Sequence, residues 1–199
     1  MTGTAPAHAI ATCLAAEGVR YLFGMPGGGN NLDVIGACAA SGIRFVLAHT
    51  ETGAAIMASA YAELTDTVGA CVVTRGPGAA SAVNGAAQAQ QDRQPLLLFC
   101  DTFDEASTPR IAHLNIDLRA LFTPVTKWST TLGTTDSQQV VRDAIRTATT
   151  PPRGAVHVDV DPGYARRHTP PEPAAKSGSM AEVAALVARA RRPVVLAGV

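Results

Sequence analysis

"IRFVLAHTETGAAIMASAYAELTDTVGACVVTRGPG", residues 43–78, decides the fold. Residues 43–47 are a short apolar run, 51–64 repeat small and apolar residues at helical spacing, and 69–74 are a second apolar run opened by Gly69. That order predicts strand, helix, strand, and then a turn at Gly76-Pro77-Gly78. A helix crossing between two apolar strands joins them in parallel. Glu51 stands alone where the first strand ends and the helix begins, ahead of Gly53, Ala54, Ala55, Ala58, Ser59 and Ala60. A carboxylate there is either a helix N-terminal charge, worth about 0.3–1 kcal/mol, or a chemical tool.

The same alternation extends both ways. Upstream, 7–17 reads as a helix closed by Gly18, 20–23 as a strand, 24–29 as a turn, and 31–40 as a helix stopped by Gly42. Downstream come a helix at 79–91 and a continuous apolar strand at 95–100, a pattern expected of a strand buried on both faces. A polar, irregular stretch at 102–118 precedes a strand-like 122–131, a helix at 136–147 and a strand at 155–160. The expectation is an α/β domain over 1–160, a mostly parallel sheet flanked by helices on both faces. Prolines and glycines mark 161–179 as a linker, and a helix at 180–190 followed by an apolar run at 191–198 reads as the truncated start of a second domain.

Sixteen basic residues balance sixteen acidic ones among 199, which argues against nucleic acid or an anionic membrane as the main partner. No apolar run reaches the roughly 18–20 residues of a membrane span. Cys13, Cys38, Cys71 and Cys100 are far apart within predicted helices and strands, so they read as reduced core residues of a cytoplasmic protein. No His, Cys and Asp spacing suits a metal, and no Gly-x-Ser-x-Gly elbow occurs. His49 and His113 read as ordinary histidines, Trp128 as packing, and Arg75, Arg110 and Lys127 as exposed surface charges.

Two glycine clusters remain. "FGMPGGG" at 23–29 follows a strand and precedes a helix, but its spacing fails the dinucleotide pattern, because Leu32 stands where Gly or Ala should. Pro26 also removes an N–H that a phosphate cradle could use. "TRGPG" at 74–78 lacks the Lys-Ser/Thr ending of a triphosphate loop. Each cluster alone serves equally as a plain turn. Together with Glu51, however, they occupy three strand ends, and strand ends in a parallel sheet gather on the rim where ligands bind.

In this order the three features resemble the N-terminal pyrimidine-binding domain of thiamine diphosphate enzymes of the acetolactate synthase-like family. The resemblance spans about residues 5 to 160. It includes "FGMPGGG", "ETGAAIMASAYA" at 51–62, "VVTRGPGAASAVNGAAQAQQDRQPLLLF" at 72–99, "LFTPVTKWS" at 121–129 and "RGAVHVDVDP" at 153–162. The tail "ARRPVVLAG" at 190–198 is similar to the opening of the family's central domain.

The resemblance implies that Glu51 hydrogen-bonds N1′ of the cofactor's aminopyrimidine and stabilises the imino form that deprotonates the thiazolium C2. Small neighbours strip water from such a carboxyl and favour its protonated form. By the same resemblance Pro26 and Gly27 approach the pyrimidine or the substrate, and Thr74, Gly76 and Pro77 line the same rim. A 2-oxo acid is the implied substrate, decarboxylated and passed on as an acyl carbanion equivalent.

The sequence departs from the family at Thr50, where His is common, at Ser81, where Asn is usual, and at "RIAHLNID", 110–117, where His113 and Leu114 replace a Phe and a Gln. The family's diphosphate and Mg2+ site is a Gly-Asp-Gly motif in a third domain, and no Gly-Asp-Gly occurs here. The expectation is therefore half of an active site, inactive alone, working in a homodimer or homotetramer. The alternatives are a subunit of a split enzyme whose diphosphate half is a separate polypeptide, a non-catalytic dimerisation module, and, last, a nicotinamide-binding domain. Retention of FAD is left open.

Overall fold

The computed structural model describes residues 6–103, 114–133, 136–161 and 180–190. The chain divides into two compact units, Met1–His168 and Thr169–Val199. In the first, the elements run α1 (Pro6–Ala16), β1 (Tyr21–Gly24), α2 (Asn30–Ala40), β2 (Arg44–Leu47), α3 (Glu51–Thr65), β3 (Gly69–Val73), α4 (Pro77–Gln91) and β4 (Leu96–Asp101). Then follow α5 (Leu118–Phe122), a 3-10 turn (Thr123–Val125), β5 (Trp128–Leu132), α6 (Ser137–Thr149) and β6 (Ala155–Val160). The second unit contributes α7 (Met180–Arg189). The expected strand at 191–198, the linker from 162 to 179, Arg110 and His113 lie outside the described residues.

The six strands form one parallel sheet in the order β2-β1-β3-β4-β6-β5. The order follows from right-handed crossovers. From β1 to β2 the chain moves outward, so α2 covers one face. From β2 it returns past β1 to β3, so α3 covers the other face, and α4 follows it there on the way to β4. The packing agrees: Val34 and Cys38 of α2 join Ile10, Leu14, Val141 and Ile145 in one apolar cluster. Ala54, Ala55 and Ala58 of α3 join Ala79, Ala82 and Ala86 of α4 in the other. The central strand β4 feeds both layers. Leu97 and Phe99 enter the first, and Leu96, Leu98 and Cys100 the second.

The second layer is thin because its residues are small. A side chain at Gly69 in β3 would run into the main-chain carbonyl of Ala58 in α3. A Cβ at Gly85 in α4 would lie 2.5 Å from Cβ of Ala55. Glycine at both positions lets α3 lie close to the sheet and to α4 at once. The join at the middle of the sheet is also slight: β1 and β3 share only the pairs Phe23↔Cys71 and Gly24↔Val72, whereas β3 and β4 share five.

Two readings of the sequence need correction. The stretch 122–131 is not a single strand. Asp117 caps a short helix by accepting the Ala120 N–H at 2.9 Å, Pro124 sits in the 3-10 turn, and the strand begins only at Trp128. Helix α4 begins at Pro77, not Ala79, with Gly76 as its N-cap. Proline suits a first helical turn, where its missing N–H has no helical partner to lose.

All four cysteines are buried free thiols. Burial pushes Cys38 up to about 12 from the ordinary 9.0. It raises Cys13, where the Arg142 charge opposes it, and Cys71 and Cys100 as well, each helped by nearby acids. Thiols held neutral in this way contribute stability that is complete below pH 9.0 and is lost as pH rises toward the folded values. At pH 8 the native chain is expected to react very slowly with Ellman's reagent, and all four thiols react at once in denaturant. One fast thiol in the native chain would show that a cysteine is not where the core places it.

Candidate active site at the sheet rim

The switch in strand order lies between β1 and β3, since the chain leaves β1 toward β2 in one direction and toward β3 in the other. Open parallel sheets form their ligand crevice at that point, outside the carboxyl ends of the strands. The turn after β1 carries Pro26 and Gly27, and the turn after β3 carries Thr74, Gly76 and Pro77, so both flank the crevice. Glu51 follows β2, the next strand out.

Local hydrogen bonds fix each piece. Thr50 caps α3: its hydroxyl accepts the Gly53 N–H at 3.0 Å and its carbonyl the Ala54 N–H at 2.9 Å. Glu51 is thereby the first residue of the helix, half-buried. One residue on, the Thr52 hydroxyl donates to the Ser81 carbonyl and ties the start of α3 to α4. The Asn31 side chain brackets the glycine turn, accepting from Gly27 N–H at 3.1 Å and donating to the Met25 carbonyl at 3.4 Å. Gly76 has φ 61°, a left-handed value that favours glycine, and it turns the chain from β3 into α4.

The pieces touch. A Cβ at Gly27 would lie 2.5 Å from Oγ1 of Thr74, and one at Gly78 would lie 2.6 Å from Cγ2 of Thr74 and 3.2 Å from Oε1 of Glu51. Gly27, Thr74, Gly78 and Glu51 therefore lie within reach of one another, with the threonine side chain packed against both glycines and a carboxylate beside the second. Any side chain at Gly78 would run into Thr74 and crowd the carboxylate. A dinucleotide phosphate fits poorly, because the N–H groups of Gly27 and Asn30 are taken by Asn31 and Asp101. Pro26 and Pro77 are exposed on the same two turns. No group of three or more potential metal ligands occurs among the described residues.

Sequence reasoning missed several contributors. Gly78, within a motif already singled out, lies against Glu51: a Cβ there would be 3.2 Å from Oε1. Leu114, at φ 59°, presents its main chain to Gly76: a Cβ there would lie 2.6 Å from the Leu114 carbonyl oxygen. Arg75 is no surface charge. It is buried in an ion pair with Asp101, Nε to Oδ2 at 2.7 Å, beneath the Phe103 ring. Lys127 is half-buried and donates to the carbonyls of Thr147 and Thr150 at 2.5 and 2.7 Å, closing the end of α6. Burial lowers its affinity for a proton. Trp128 packs on the first apolar cluster, and His49 is exposed.

Comparison with known proteins agrees with this geometry. Residues 5–120 match the family model described as thiamine pyrophosphate enzyme, N-terminal TPP binding domain. A catabolic acetolactate synthase of Raoultella terrigena is 32% identical over 204 residues, covering 96% of this chain and 36% of the relative. A probable acetolactate synthase large subunit of Methanocaldococcus jannaschii is 31% identical, with 96% and 35% covered. The large subunit from Lactococcus lactis is 30% identical, with 98% and 36% covered. The chain thus spans about a third of the length of the curated relatives it matches. A parallel α/β domain with its crevice at the β1–β3 switch, matched over residues 5–120, belongs to the thiamine pyrophosphate enzymes as an acetolactate synthase-like N-terminal cofactor-binding domain.

Proposed function

We propose that this chain supplies the pyrimidine half of the active site of a thiamine diphosphate-dependent 2-oxo acid decarboxylase or carboligase. The observation that carries the reading is the carboxylate of Glu51 standing beside glycine-lined backbone at the switch point. When bound, the cofactor supplies the electron sink for a 2-oxo acid. Glu51 would hold or give a proton at a nitrogen of the bound ring. Gly27 and Thr74, which touch, and Pro26, Gly76 and Pro77 on the same two turns would hold the ring. The short tie from Thr52 to Ser81 keeps Glu51 from swinging out with the end of its helix.

The diphosphate and Mg2+ belong, on this reading, to a separate Gly-Asp-Gly-bearing domain, either of the same polypeptide or of a partner subunit. Residues 1–160 then form the pyrimidine domain, 161–179 the linker and 180–199 the start of a central domain. The working enzyme is at least a dimer, in which the pyrimidine half of one subunit faces the diphosphate half of another, and its place is the cytoplasm. No helix among the described residues is long and apolar enough to cross a membrane. Thr50, Ser81 and Leu114 depart from the acetolactate synthase pattern, so the substrate is assigned only as a 2-oxo acid.

Calorimetric titration of the 199-residue chain with thiamine diphosphate and Mg2+ is expected to show very weak binding or none. Supplying the remaining domains is expected to restore tight binding and cofactor-dependent release of carbon dioxide from a 2-oxo acid. Tight, Mg2+-dependent binding by the chain alone would overturn the half-site reading. Absence of cofactor-dependent turnover in the complete enzyme would overturn the activity.

A further inference from the structure

Behind the rim, Arg75 and Asp101 form a buried ion pair with side-chain exposures of 10% and 0%. Nε and one terminal nitrogen of Arg75 both reach Oδ2 of Asp101, and the Phe103 ring covers the guanidinium at 4.0 Å. The other carboxylate oxygen, Oδ1, accepts the Asn30 N–H at 3.3 Å. Gly29 lies directly on the pair. A Cβ there would come within 2.6 Å of the Arg75 terminal nitrogen and 3.1 and 3.2 Å of the two Asp101 oxygens. With φ 66°, Gly29 is the residue at which the turn bends down onto the charges.

We propose that Arg75 and Asp101 are positioning residues for the cofactor site, a buried pin that seats the glycine turn after β1 so that Gly27 meets Thr74. The inference rests on the cofactor reading above. Stability is a poor reason to keep such a pair, because apolar side chains of similar volume hold a buried site as well or better. Apolar side chains cannot accept the Asn30 N–H, and without the flat guanidinium the space against which Gly29 is folded changes shape. The pin joins the ends of β3 and β4 to the turn after β1, and Asn31 secures the far end of that turn. With the pin removed, the turn keeps its Asn31 bracket but loses its seat, and the wall formed by Gly27 drifts from Thr74.

The test uses the complete enzyme carrying Arg75→Met with Asp101→Leu. The melting temperature is expected to fall by several degrees at most: both charges leave together, and the remaining cost is the Asn30 N–H left without its acceptor. The cofactor Kd is expected to rise about tenfold or more, because a loosely held wall no longer arrives preorganised. KM for the cofactor rises more than kcat falls, and amide hydrogen exchange quickens over residues 25–31. A stable double variant with wild-type Kd and wild-type exchange would overturn the proposal. Should the double variant not fold, Arg75→Lys decides: it keeps the charge and loses the fork, so an unchanged Kd overturns the pin and a raised Kd supports it. If the wild-type enzyme binds no thiamine diphosphate, the cofactor reading falls, and exchange over 25–31 still decides whether the pair holds the turn.

Discussion

Glu51→Gln is expected to lower turnover of the complete enzyme by about 10²–10⁴-fold, the range that one positioned acid or base supplies. The amide keeps the shape of the carboxyl and can still meet the ring, but it cannot hold or pass the proton. The fold is expected to survive. Glu51 is only half-buried and opens a helix already capped by Thr50, so losing its charge costs about 0.3–1 kcal/mol. For a chain of this size that is a shift of no more than about 4 °C. Stopped-flow or steady-state assay beside a melting curve separates the two quantities. Activity near wild type in a well-folded variant would end the assignment of Glu51, whatever the family match.

Gly69→Val is expected to cost stability at the other extreme, about 3 kcal/mol, the upper end of what overpacking costs, or about 6–12 °C in melting temperature. Intrinsic preference points the other way, because valine suits a strand, but that preference spans only about 1 kcal/mol. The obstacle is backbone: the new side chain meets the carbonyl of Ala58, which cannot swing aside as a side chain tip can. Moving α3 off the sheet would also break its fit to α4 at Gly85 and carry Glu51 away from Gly78. A variant that melts with wild type would mean that α3 does not lie against β3 as described.

How far the sequence could be read depended on the distance over which each feature is decided. The alternation of strands and helices was legible because each element carries its own periodicity, and Gly18 and Gly42 close the first two helices. The helix Leu118–Phe122 was not, because "LFTPV" is as apolar as a strand, and the one local signal was the cap at Asp117. The proposed site residues were legible as motifs, since Pro26, Gly27, Glu51, Thr74, Gly76 and Pro77 each belong to a turn or a helix start. Their mutual contact needed the strand order. The pin needed the register as well: Val73 pairs with Cys100, which brings together two charges that are 26 residues apart. Lys127 was misread for the same reason, since its partners arrive only when α6 packs back beside β5. Charge in a sequence shows its sign but not its depth.

The short ladder between β1 and β3 gives the crevice a mechanical character. Along the strands themselves two residue pairs join β1 to β3 at the seam the cofactor is assigned to, and further ties across it use side chains, among them Asn30 to Asp101 and to the Val160 carbonyl. Local opening follows the weakest cooperative boundary, so resistance to opening at this seam rests on the Arg75–Asp101 pin and the core packing of α2 more than on the strand ladder. A ligand that touched both Gly27, after β1, and Thr74, after β3, would act as a rivet across that seam, and its binding energy would become resistance to partial unfolding.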